Sequence, residues 1–556
     1  MKKKMVMRYY IFIFLVILFA SPVVAQSESD EIIFKAMQDE MKRTREQLVL
    51  PGMTKPFYVA YSVARSRQVD VAGVLGGIVN SNVTGWATVC TAQLLLGDYQ
   101  HTNDTRYVGA APDMSSASEL NYNTLRRSFW LLSDRAYKFA LQEDAAKKAY
   151  LKTNLQAPEI AALPELTKAE PIKKIVERKK PFDFDQARWE KIVSEVSAIF
   201  KEYKDIYNSS VTVTGSEIDF YKQTSEGVIL KQPTSYISFY ATGYVLTDDG
   251  VKISDSYSLM AATPQDLPSL EELKKGVRAF AEDLLKLKTV PVIDEYYSGP
   301  VLFEGAASSS IFVSTLLNQS GLFALRAPLG QKEQPRTLEN RVGRKILDTR
   351  LTVKNYSTLE KYNGVDLLGA YEVDAEGVVP AKEMTLVENG ILKTFLNGRV
   401  PTLKAPGSTG SSRFLTTGSN VVYVTAPGTI HIQVEDGMKQ EKMKKALIKA
   451  AKEEGLDYAY IVRDFGGLSA HVYKVDVKDG SETQVRFGKV SGINLSKMKR
   501  VLQISSKENI ANYILHRQTL SSLIYPASVL IEDIEINESK PGKEKKMALT
   551  YPLQRQ

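Results

Sequence analysis

Metal and nucleophilic chemistry needs lone pairs brought close together, and the residues that supply them are scarce in this chain. The 556 residues include four histidines and one cysteine. They are His101, His431, His471, His516 and Cys90. No two histidines stand at the H-x-H or H-E-x-x-H spacing that puts two imidazoles on one face of a strand or helix. A lone cysteine excludes an intramolecular disulfide and any zinc site built on two thiolates. No G-x-S-x-G elbow, Walker A loop or dinucleotide fingerprint occurs. Cys90 and His101 could be drawn as a thiol–imidazole pair. A buried strand cysteine beside a loop histidine is the reading preferred here.

The elements that would have to position such residues come from a chain with 44% hydrophobic and 24% charged residues, enough apolar side chains for a large core. The formal net charge is +8. Residues 1–25 carry Lys2, Lys3, Lys4 and Arg8 and no acid, so the remainder stands at +4. That weak excess argues against nucleic-acid binding, which needs a concentrated basic face. The same 25 residues read as a secretory signal peptide. A basic start is followed by an apolar run from Tyr9 to Ala20, and Val23-Val24-Ala25 forms a small-residue cleavage site before Gln26. The run is too short to span a bilayer, and no later stretch is long and apolar enough. The expected product is an exported periplasmic or extracellular protein with no membrane span once the signal is removed.

Periodicity predicts helices over Asp30–Val49, Leu125–Ala149 and Asp185–Tyr203. A fourth opens at the capping box Ser269-x-x-Glu272 and runs through Leu287. Strands are expected across Tyr58–Leu96 and Ser210–Leu259. Asn154–Phe184, rich in proline, lysine and arginine, reads as a solvated linker. Asn389-Gly390 lies between two alternating runs and predicts a tight hairpin. Lys439–Glu454 reads as a helix ended by Gly455, followed by several strands. The expected fold class is α+β in two domains. Residues 26–295 form a mixed N-terminal domain with the charged excursion 154–184. Residues 296–556 form a β-rich C-terminal domain.

Several segments resemble the TldD/PmbA family. Tyr371 to Lys393 is similar to its signature, in which Asp374-Ala375-Glu376-Gly377 precedes the Leu386-Val387-Glu388-Asn389-Gly390 hairpin. Ser408 to Arg413 resembles the family's Thr-Gly-x-Gly-Arg loop, and Thr224 to Gly227 its Ser-Glu-Gly turn. Asp464 to Gly467 and Pro526 to Ile534 resemble later segments. The resemblance implies a two-domain α+β fold and assembly into homodimers or heterodimers. It also implies zinc metallopeptidase chemistry in TldD-type members. There, His-Glu-x-x-x-His supplies two ligands and a general base, and a later cysteine supplies the third ligand. PmbA-type members lack the motif and partner the zinc-bearing subunit.

The matching stretch here runs from Gly299 to Ser308. Phe303 and Ser308 stand at the two histidine places, Glu304 alone keeps the family identity at the general-base place, and no cysteine follows Cys90. The expectation is therefore no metal site and no cofactor. The chain should act as a pseudo-peptidase binding a peptide or protein, as a homodimer or with a zinc-bearing paralogue. One rival is an active peptidase that borrows His471, His516 or partner-supplied ligands. Another is a structural or envelope-binding protein that reuses the fold.

Overall fold

The computed structural model describes residues 21–107, 114–293, 295–318, 321–331, 338–417, 420–464, 471–486, 488–515, 519–538 and 542–543. Most of the expected signal segment, the Gly466-Gly467 stretch and His516 lie outside these residues.

The N-terminal part is built on an eight-stranded sheet. Its long members are β1 (Tyr58–Val74), β2 (Ala87–Leu95), β3 (Ile206–Thr224), β4 (Val228–Leu246) and β5 (Lys252–Ala261). The path runs from Met114–Ser118 through β2, β1, β3 and β4 to Ile172–Ile175, with Gly77–Val83 beside β1 and β5 beside β4. Strand alternation gives the sheet two different faces. Val59, Tyr61 and Val63 of β1 pack with Cys90 against α1 (Ser21–Gln47) and α2 (Tyr122–Thr153). Further along, Val69 and Val71 join Val211, Val213 and Phe239 under α3 (Gln186–Ser197) and α4 (Leu270–Leu287). The apolar spacing of α2 explains its seat: Leu125, Phe129, Leu132, Ala136 and Ala140 fall on one stripe and are buried. The Ser269 capping box forms with both reciprocal bonds.

The opposite face of the sheet meets the C-terminal part. Ala64, Val89 and Phe220 cluster there with Ala375, Val421 and Tyr423. The Phe220 and Phe414 rings stack with centroids 4.2 Å apart.

The C-terminal part is two sheets around one core. The seven-stranded sheet contains β6 (Tyr297–Glu304), β9 (Tyr458–Val462) and β11 (Ser528–Glu538). The six-stranded sheet contains β7 (Leu351–Tyr356), β8 (Thr429–Val434) and β10 (Thr519–Pro526). Val301 and Phe303 of β6 point into the shared core with α5 (Ala306–Leu316), whereas Leu302 points outward against α6 (Gln440–Glu453). The hairpin Glu383–Glu388 to Ile391–Leu392 turns at Asn389 and Gly390, with φ of 47° and 75°. Positive φ at both central residues matches the twist of the flanking strands, and Asn-Gly accepts it at low cost.

The structure corrects two expectations. The first helix already includes Ser21–Ser29, ahead of the expected start at Asp30, and ends at Gln47. The segment 154–184 is not solvated along its length. Leu166, Ala169 and Phe182 are buried, and Ile172–Ile175 adds a parallel strand to β4. Its charges have tertiary partners: Arg178 pairs with Glu217 and Asp219, and Lys180 with Asp266 and Asp366. Asp366 belongs to the C-terminal part, so the segment straps the two parts together.

Candidate functional site

Glu304 ends β6 and is followed by Gly305, whose φ of 56° turns the chain sharply into α5. Its carboxylate is held by cations and amides. Arg463 Nε donates to Glu304 Oε2 at 3.1 Å, and Gln440 Nε2 donates to Oε1 at 3.3 Å. Arg463 continues to Glu482 at 2.9 Å and lies over the Tyr473 ring. Phe303 is fully buried in the inter-sheet core. Ser308 is also fully buried, and its Oγ donates to the Pro526 carbonyl at 2.7 Å.

These residues do not fit a catalytic zinc. A phenyl ring has no lone pair to offer, the Ser308 hydroxyl is turned to a carbonyl, and a guanidinium occupies the one carboxylate that could polarise a water. Among the described residues no group of three His, Cys, Asp or Glu side chains could hold a metal ion.

The other sequence candidates are dispersed. Cys90 is buried under the N-terminal helices, and burial pushes its thiol up to about 12. His101 lies in an exposed turn. His431 Nε2 lies 2.7 Å from Glu508 Oε1. His471 Nε2 lies 2.9 Å from Asp255 Oδ2, and that hydrogen bond raises its pKa. A histidine biased toward its protonated form is a poor metal ligand.

The strongest electrostatics lie elsewhere, where the two parts meet. The Thr224–Gly227 turn and the Asp374–Gly377 turn converge there on Arg399, a residue that sequence reasoning missed. Arg399 is fully buried. Its guanidinium makes two parallel bonds to Glu226, at 2.8 Å and 2.7 Å, and its Nε donates to the Thr167 carbonyl at 2.7 Å. The Arg399 backbone N–H donates to Glu376 Oε2 at 3.1 Å. Burial works against its charge, but Tyr58, Glu226 and Glu376 outweigh it, so Arg399 stays a cation.

Asp374 beside it is fully buried. Oδ1 accepts the N–H groups of Glu376 and Val378, and Oδ2 accepts that of Ser412. Burial, then the Glu376 charge, raises its pKa to about 7 despite these bonds. Lys222 is buried on β3, and its Nζ has no hydrogen-bond partner among the described residues. It sits 4.3 Å from the Tyr423 ring centroid, and burial lowers its pKa to about 8. The cluster thus holds two cations, two glutamates and an aspartic acid poised near neutrality, without water access at its centre.

Two sheets sharing one core beneath a helix-covered N-terminal sheet define an α+β, two-domain class of protein. The same fold occurs in TldE from Thermococcus kodakarensis, at 14% identity and a TM-score of 0.56, over 90% of this chain and 99% of that one. It also occurs in a Thermotoga maritima protein named as a candidate modulator of DNA gyrase, at 15% identity and a TM-score of 0.57, over 91% and 100% of the two chains. A Bacteroides thetaiotaomicron protein named the same way has 14% identity and a TM-score of 0.56, over 91% and 98%. No curated protein is similar to this chain in sequence. Residues 297–537 match the PmbA/TldA metallopeptidase C-terminal domain. This segment, 241 of the 556 residues, gives the chain a C-terminal domain of the TldD/PmbA kind.

Proposed function

We propose that this chain is an exported TldD/PmbA-family protein without zinc chemistry, which acts by binding a peptide or a zinc-bearing paralogue. One observation carries the reading. The sole family-like catalytic residue, Glu304, is engaged by Arg463 and Gln440, while the residues at the two ligand places are a core phenylalanine and a serine bonded to a backbone carbonyl. Export rests on the basic, apolar and small-residue order of residues 1–25. No helix among the described residues is long and apolar enough to cross a membrane.

An active peptidase built on His471 is disfavoured by its bond to Asp255, which stabilises the imidazolium. The test is peptidase activity and light scattering of the purified chain, alone and mixed with any co-encoded paralogue that retains His-Glu-x-x-x-His. Activity only in the mixture, together with a heterodimer, supports a PmbA-like role. Activity of the chain alone contradicts the proposal.

A further inference from the structure

A cavity of about 480 Å³ opens between the two parts, bounded on one side by the 154–184 strap and Gln232–Ser235 of β4, and on the other by Tyr371, Arg413, Phe414 and the start of β10. Glu304 is not among its walls. Charged side chains line it, yet almost all are matched. Lys179 pairs with Glu360, Lys180 and Lys361 with Asp366, and Arg178 with Glu217 and Asp219. Of the wall acids, Glu177 is held by Lys231 and Glu372 by Lys174.

Arg413 is different. Its Nη1 donates to the carbonyls of Gly369 and Pro427, each at 3.3 Å, and its guanidinium lies 4.1 Å from the Tyr371 ring centroid. Nε and Nη2 have no acceptor among the described residues. Asp374, the acid whose charge bears on it, spends its oxygens on three backbone N–H groups and is driven toward neutrality. Thr519 also lines the cavity, but it is 2% exposed and its hydroxyl is sealed in the wall, so Arg413 is the polar anchor that faces a ligand. The remaining walls are apolar, Phe414, Leu367 and Leu520 among them.

We propose that this inter-domain cavity binds a small carboxylate-bearing molecule with an apolar body, its carboxylate seated on the guanidinium of Arg413. A guanidinium edge offers two parallel N–H groups that match a carboxylate, and the Tyr371 face with the two carbonyls holds that edge in place before the ligand arrives. The cavity has the size and the mixture of apolar wall and few polar anchors typical of small-molecule sites. The chemistry is shared by a free acylated amino acid and by the C-terminal residue of a short peptide. This site stands apart from the pseudo-peptidase reading, and its failure would leave the zinc and paralogue results untouched.

Calorimetric titration of the purified protein tests it with N-acetyl-leucine, N-acetyl-leucinamide, an N-acetylated tripeptide ending in leucine, and inorganic phosphate. The proposal expects at least one free carboxylate probe to bind, with the amide weaker by roughly tenfold or more. Whichever carboxylate binds more tightly, amino acid or tripeptide, identifies the source. Arg413→Gln should erase the preference for the carboxylate, and Arg413→Lys, which keeps the charge but loses the fork, should weaken carboxylate binding severalfold. If Arg413→Gln does not fold, Arg413→Lys carries the test. Equal binding of acid and amide, phosphate binding as tightly as the carboxylates, no binding by any probe, or unchanged affinity in a folded variant overturns the proposal.

Discussion

The end of β6 and the seam between the two parts treat charge in opposite ways. At β6, Glu304 is a partly exposed carboxylate in an ordinary network with Arg463 and Gln440. At the seam, Arg399, Asp374 and Lys222 are fully buried, and the Glu226 side chain is only 4% exposed. The stretch that resembles the family's catalytic motif lies in the first region, but the perturbed ionisation is in the second. A retained motif residue therefore says little about chemistry when its surroundings have changed. A buried charge cluster, by contrast, marks what the fold is built to keep. Here that is the junction of the two parts, since Arg399 from one binds Glu226 and the strap carbonyl of Thr167 from the other.

The largest expected effect comes from breaking that junction. Arg399→Met should leave Glu226 as an uncompensated buried charge and cost roughly 3–5 kcal/mol in denaturant unfolding. Adding Glu226→Gln should recover a substantial part, because the orphaned charge is then gone. A loss below about 1 kcal/mol in the single variant would mean that the seam opens to water.

The next effect tests the β6 side. Phe303→His with Ser308→His restores two imidazoles, yet one enters an apolar core. The pair should lower stability by about 2–4 kcal/mol without stoichiometric zinc, since no thiolate completes the set. Zinc uptake with retained stability would show that these two positions suffice to restore a metal site.

A third effect separates the regions by pH. Asp374 has a folded pKa raised to about 7 from 3.8, so the folded state holds its proton more tightly. Its contribution is complete below the unfolded value and is lost as pH rises through that window. Lys222 is lowered to about 8 from 10.5, so its contribution is complete above the unfolded value and is lost as pH falls toward 8. Stability should thus have a falling limb between about pH 4 and 7 and a rising limb between about 8 and 10.5. Asp374→Asn should flatten the first limb and Lys222→Met the second, as read by chemical denaturation across pH. The smallest effect belongs to Glu304→Gln. Its pair with Arg463 is partly exposed, and the loss should be about 1 kcal/mol or less.

Local rules explain what the sequence alone reveals. The Ser269 capping box and the Asn389-Gly390 turn are set by neighbours within a few residues, and both form as expected. The strap 154–184 was not legible, because the partners of its lysines, arginines and apolar residues lie far along the chain. Arg399 shows the same limit, with Glu226 lying 173 positions away and Thr167 lying 232 away. The two glutamate-bearing turns were visible as family-like segments, but their convergence on one guanidinium is a tertiary fact. A spacing motif near Arg413 could likewise flag a loop, not a cation left over after every neighbour is paired.

Elemental analysis of the purified protein is the most direct check on the central proposal that the region around Glu304 holds no zinc. The account predicts well under one zinc per chain, unchanged by substituting Glu304. One zinc per chain, lost on substituting His471 or His516, would contradict it.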